Sequence, residues 1–196
     1  GTAFGRYLDV DGDGIPYRTY PGTHPKSGAY FTRGTTKDRM AKYSEAGPDY
    51  IENMERLLKK FETAKSILPA PMRHQNQVAT RIGVMYYGST SPAMEEAFEL
   101  LQEDGIVVNG LRIRAFPFHE EVEKFVAAHD VVFLVEQNRD AQLRTLLMTE
   151  CEMDASKLTP VLHYDGTPIT ARFIAGAIAV KLGAKNAQAQ RSAAGN

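Results

Sequence analysis

Two hydrophobic grammars divide the chain. In "GPDYIENMERLLKKFETAKSIL", Ile51, Met54, Leu58, Phe61 and Leu68 recur at three-, four- and seven-residue steps, which predicts one amphipathic helix with a single apolar stripe. Pro48 suits its first turn. From Arg81 onward, short apolar runs alternate with helical patterns. "IGVMYYG" reads as a buried strand. "STSPAMEEAFELLQEDG" reads as a helix with Ser91 at the N-cap, Pro92 in the first turn, Glu95 and Glu96 near the positive end of the dipole, and Gly105 closing it. "IVVNGLRIRAF" predicts a strand with Leu111, Ile113 and Ala115 on one face and Arg112 and Arg114 on the other. Then come a short helix ("HEEVEKFVAAH"), an apolar strand ("DVVFLVEQN"), a helix ("RDAQLRTLLMTE"), a short strand and turn ("LTPVLHYDG") and a last helix ("PITARFIAGAIAVKLG") ending at Gly183. Strands separated by helices imply an α/β fold, with a largely parallel sheet covered on both faces.

Residues 1–47 show neither period for long and are dense in Gly, Pro, Asp, Thr and Tyr. A structureless stretch of that length is unusual in a self-contained domain. It reads as an irregular arm that wraps the rest of this chain or a neighbour, with Tyr7, Tyr17, Tyr20, Tyr30 and Phe31 as aromatic anchors. The expected organisation is therefore an arm at 1–47, a linking helix at 48–68, a polar linker at 69–80 and an αβα domain at 81–183. A small polar tail at 184–196 is expected to be disordered.

Charge and composition narrow the function classes. A formal net charge of −1 gives no overall field to gather nucleic acid or an acidic membrane surface. No apolar run approaches the roughly 20 residues of a bilayer span, and the first residues carry no signal-peptide core. With one cysteine, Cys151, the chain forms no intrachain disulfide and no self-contained cysteine iron–sulfur site. These features imply a soluble, cytoplasmic protein without nucleic-acid or membrane partners.

Several stretches carry candidate chemistry. Asp9, Asp11, Asp13 and Gly14 in "DVDGDG" match positions one, three, five and six of a calcium loop, but Tyr20 stands at position twelve and Pro16 and Pro21 break the flanks. That excludes an EF-hand and leaves a looser cation site or a series of Asx–Gly turns. "GDG" also occurs in thiamine diphosphate sites, where an asparagine roughly 25 to 30 residues later completes a magnesium shell; the corresponding "TKDRMAKYSEA" has none. "YYGSTSP" places a Gly-Ser-Thr-Ser loop at a helix N-terminus, where amides receive an anion or the hydroxyls simply cap the helix. In "VEQNRD", Glu136, Gln137 and Asn138 sit at a strand's carboxyl end, the edge where open α/β sheets meet ligands. The alternative is that Asn138 or Asp140 caps the next helix while Glu136 pairs with an arginine. His163 and Asp165 in "LHYDG" suit a turn, since no Ser or Cys nucleophile stands in a recognisable elbow. No catalytic constellation is complete.

The stretches "RYLDVDGDGIPYRTYPGT", "GAYFTRGT", "NMERLLKKFETA", "VMYYGSTSPAMEEAFELL", "LRIRAFPF", "VVFLVEQNRDAQLRTLL" and "VLHYDGTPITARFI" resemble the C-terminal part of the alpha subunit of 2-oxoglutarate:ferredoxin oxidoreductases, within the 2-oxoacid:ferredoxin oxidoreductase family. The resemblance runs from about Arg6 to Ile178. It implies a three-layer αβα domain of the transketolase C-terminal type, preceded by the arm and one long helix. It also implies an enzyme that oxidatively decarboxylates a 2-oxoacid with coenzyme A and thiamine diphosphate, magnesium and an iron–sulfur cluster, passing electrons to ferredoxin. The family's YPITP motif is absent, because "TPITA" around Pro168 is a different segment. So are the GDG…N motif, the cluster cysteines and the gamma-type domain. The resemblance thus implies part of a longer polypeptide that binds no cofactor alone. Its partners would be the beta subunit and the N-terminal domains of the alpha subunit, in an oligomeric enzyme. Arg33, Glu136 and Asn138 are its candidate interface or cofactor-proximal residues, and Asp9, Asp11 and Asp13 its candidate cation ligands. The competing reading is a free-standing αβα module that holds a small anion or nucleotide at "GSTS" beside the "EQN" edge.

Overall fold

Proline at position 69 drives the residue before it out of the helical region. Leu68 is extended (φ −72°, ψ 156°), and helix α1 (Gly47–Ile67) ends there. At the same point the computed structural model, which describes residues 4–26, 28, 34–76 and 78–183, divides into two units, Gly1–Leu68 and Pro69–Asn196. Arg33, Tyr30, Phe31 and the 184–196 tail lie outside the described residues.

In the first unit the predicted stripe forms, but it faces solvent: Ile51 is 57% and Leu58 71% exposed, and no residue of α1 is buried. The arm lies instead along the helix's polar side. A chain rich in Gly and Pro has backbone carbonyls with no ladder to join, and side chains must satisfy them. Arg56 Nη1 donates to the Gly14 carbonyl at 3.1 Å and Thr63 Oγ1 to the Asp13 carbonyl at 2.5 Å. Asn53 Nδ2 donates to the Lys37 carbonyl.

The second unit is a mixed, mostly parallel five-stranded sheet. Its strands are β1 (Met72–His74), β2 (Ile82–Tyr87), β3 (Asn109–Ile113), β4 (Val131–Glu136) and β5 (Leu158–Leu162), in the order β1-β3-β2-β4-β5. Only β1 runs antiparallel, pairing Met72 with Arg112 and His74 with Gly110. It lies in the segment expected as a polar linker. Helices α2 (Ser91–Glu103) and α5 (Ala171–Lys181) share one apolar layer with Val84, Phe133 and Val161. Helices α3 (Glu120–Ala128) and α4 (Gln142–Glu150) share the other with Met85, Leu111 and Leu134. Adjacent strand residues point to opposite faces, so the apolar residues of β2 and β4 feed both layers.

Local chemistry fixes the helix ends. Ser91 is the first residue of α2 rather than its cap, because Gly88–Thr90 forms a 3-10 turn that runs directly into the helix. At the other end Gly105 adopts φ +75°, its N–H reaches the Gln102 carbonyl, and the Ile106 N–H reaches Leu101. This is a Schellman closure. Gly110 has a packing role: a Cβ there would lie 2.5 Å from Cζ of Phe98. Replacing Gly110 with alanine is expected to destabilise the second unit by about 1–3 kcal/mol through displacement of that ring, measured by urea denaturation.

Candidate functional site

Strand order sets where polar groups meet. β2 leads by α2 to β3 on one side, whereas β4, on the other side of β2, leads by α4 to β5. The carboxyl ends of β2 and β4 thus form the sheet's switch point, where open α/β folds place ligands. The structure brings the two predicted stretches together there. Gln137 Nε2 donates to Ser89 Oγ at 3.0 Å and Thr90 Oγ1 at 3.2 Å. Asn138 Nδ2 lies 3.4 Å from the Tyr87 hydroxyl and donates to Glu136 Oε2 at 2.9 Å. Burial, reinforced by the Glu136 carboxylate, pushes the Tyr87 phenol above its ordinary pKa.

Glu136 is fully buried. Its Oε2 accepts the Leu143 N–H at 2.7 Å and its Oε1 the Arg144 N–H at 3.2 Å. Asn138 Oδ1 accepts the N–H groups of Asp140 (3.1 Å) and Gln142 (3.2 Å). Together the two side chains fill the first turn of α4, which Ala141 enters in the left-handed region (φ 51°) with no cap of its own. Glu136 therefore meets backbone amides rather than an arginine head group; the Arg144 guanidinium donates to the carbonyls of Leu158 (2.9 Å) and Ala155 (3.0 Å). With the α4 amides satisfied by Asn138 and by a buried carboxylate, the β4–α4 side of this edge is poorly suited to an anion. Its geometry fixes a loop.

Tyr87 also lines an apolar cleft of about 450 Å³ with Ile113, Phe116, Phe118, Leu143 and Leu146. Sequence periodicity gave no signal for it, since its walls come from β2, β3, the loop that follows β3, and α4. His163 Nε2 stands 3.4 Å from Asp165 Oδ1, edge-on to the Phe173 ring at 4.9 Å. Asp165 Oδ1 also accepts the Thr167 N–H and hydroxyl, which hold its carboxyl below the usual range. That is a turn.

The aspartate run is also built on turns. Asp9 accepts the N–H groups of Asp13 and Gly14, each at 3.0 Å, and Asp13 accepts that of Ile15 at 2.8 Å. Asp11 takes a hydrogen bond from Tyr17, which raises that phenol's pKa. Among the described residues no group of three or more His, Cys, Asp or Glu side chains is placed to hold a metal ion. The donor set does not fit an iron–sulfur cluster, given a single cysteine at the end of α4. It fits a magnesium–thiamine site no better, because Asp13 is engaged by its own turn.

No family model matches the chain. Among solved structures it is similar to 2-oxoglutarate:ferredoxin oxidoreductase from Magnetococcus marinus, determined with 2-oxoglutarate, coenzyme A and succinyl-CoA bound. The TM-score is 0.73 at 19% identity, over 89% of this chain and 30% of that one. It also aligns with the alpha chain of a probable 2-oxoacid ferredoxin oxidoreductase from Thermoplasma acidophilum, at 24% identity over 58% of this chain and 97% of that one, with a TM-score of 0.40 that adds no weight. The class is thereby an α/β fold shared with an oxidoreductase. Within that class, the M. marinus enzyme is a structural neighbour matched over most of this chain, which spans under a third of the neighbour's length. Among the described residues no helix is long and apolar enough to cross a membrane.

Proposed function

We propose that the chain is the scaffolding and docking portion of a 2-oxoacid:ferredoxin oxidoreductase alpha subunit, from an enzyme that converts 2-oxoglutarate to succinyl-CoA with ferredoxin as acceptor. The observation that carries this reading is the fold match across 89% of the chain. The strand-end geometry supports it: Glu136 and Asn138 hold the β4–α4 loop in shape, as a contact surface requires, and neither is free to act on a substrate. Thiamine diphosphate, magnesium, the iron–sulfur cluster and coenzyme A would be held by the rest of the alpha subunit and by the beta subunit, which are the partners of this reading.

Reconstitution tests it. Viologen reduction that requires 2-oxoglutarate, coenzyme A and thiamine diphosphate is expected only when this chain is joined to the remaining alpha-subunit segments and the beta subunit. Robust turnover by the 196 residues alone would overturn the proposal, as would full activity of an enzyme lacking them.

A further inference from the structure

Four cationic side chains face one small cleft in the first unit. Arg6, Arg18, Arg56 and Lys60 line a space of about 160 Å³ whose remaining wall is Tyr7, Pro16 and Leu57. The sequence explains the gathering. Arg6 and Arg18 flank the "DVDGDG" turns, which fold the arm back on itself, and Arg56 and Lys60 are one helical turn apart on α1.

Among the described residues no carboxylate lines this cleft. Arg18 and Lys60 form no ion pair among the described residues. The Arg56 guanidinium sits 5.6 Å from the Tyr7 ring centre and gives Nη1 to the Gly14 carbonyl, while its Nε is buried with no hydrogen-bond partner. A partly desolvated guanidinium among like charges is unfavourable until a counter-charge arrives. An oxyanion supplies one through charge-assisted hydrogen bonds. The space also continues. A second cleft of about 270 Å³ shares Tyr7, Arg18, Arg56 and Leu57 and runs on past Thr35, Thr36 and Asn53, which offer hydroxyl and amide groups.

We propose that this cleft is a phosphate-binding site, taking the phosphate group free or as the head of a phosphomonoester whose organic part follows Thr35, Thr36 and Asn53. The site assigns a ligand to the arm and goes beyond the scaffolding role. It is tested by binding, so its outcome is separate from that of the reconstitution.

Calorimetric titration of the full chain at low ionic strength compares inorganic phosphate, adenosine monophosphate and adenosine. Phosphate is expected to bind saturably, and at least tenfold more weakly to the Arg18→Gln/Lys60→Gln variant; adenosine is expected not to bind. Adenosine monophosphate binding tenfold tighter than phosphate identifies a phosphomonoester as ligand, and equal affinities identify free phosphate. Should the double variant lose its circular dichroism spectrum, Arg18→Gln alone, at an exposed position, is expected to weaken binding at least threefold. No saturable binding of either phosphate compound, affinity unchanged in the folded variant, or adenosine binding as well as its phosphate would overturn the site.

Discussion

Replacing Glu136 with alanine is expected to lower the stability of the second unit by roughly 3 kcal/mol, the scale for hydrogen bonds to a charged group whose loss strands buried donors. The carboxylate is fully buried and serves three donors: the N–H groups of Leu143 and Arg144 and the side-chain amide of Asn138. Alanine leaves them without their acceptor and removes a negative charge from the positive end of α4. Glutamine retains an acceptor for the Leu143 N–H but turns its amide toward the Arg144 N–H, so Glu136→Gln is expected to cost about half as much. Urea denaturation gives the magnitudes, and hydrogen exchange locates them: the Leu143 and Arg144 amides should lose protection before the β2 and β4 ladder does. If Glu136→Ala unfolds within about 0.5 kcal/mol of the parent, the side chain is not the cap described here.

How Glu136 works shows what was legible beforehand. The strand itself was, because "DVVFLVEQN" is apolar to its last residues and stops at polar ones. So was the meeting of the Gly-Ser-Thr-Ser loop with the Glu136–Asn138 edge, since both stretches end strands of one sheet. The direction of the carboxylate was not. It depends on where the first turn of α4 begins, and Ala141 enters that turn in a left-handed conformation that nothing in "NRDAQL" announces. Strand β1 escaped for a different reason: three exposed residues, "MRH", carry no alternation, and their pairing with Gly110–Arg112 is long-range. The α1 stripe was read correctly as a stripe, yet periodicity reports that one face is apolar and not what covers it. The cationic cleft escaped because Arg6, Arg18, Arg56 and Lys60 converge only after the arm has folded back along the helix.

Folding back depends on the close approach of Gly14 to α1. Gly14 adopts φ +80°, and a Cβ on it would lie 2.8 Å from the Arg56 carbonyl oxygen and 2.9 Å from the Lys59 carbonyl carbon, both backbone atoms of α1 that cannot rotate away. Gly14→Ala therefore meets two penalties, the left-handed conformation at about 1–2 kcal/mol and a clash relieved only by lifting the arm. Lifting the arm breaks the bonds from Arg56 to the Gly14 carbonyl and from Thr63 to the Asp13 carbonyl. The expected loss is roughly 2–4 kcal/mol for the first unit. Gly22 isolates the two parts: it has φ +83°, but a Cβ there meets nothing within 4 Å. Gly22→Ala should show the conformational penalty alone. Limited proteolysis across residues 9–20 reads the difference directly, with Gly14→Ala cleaved fastest, Gly22→Ala intermediate and the parent slowest. Equal cleavage of the two variants would mean that close packing of this turn on α1 does not hold the arm in place.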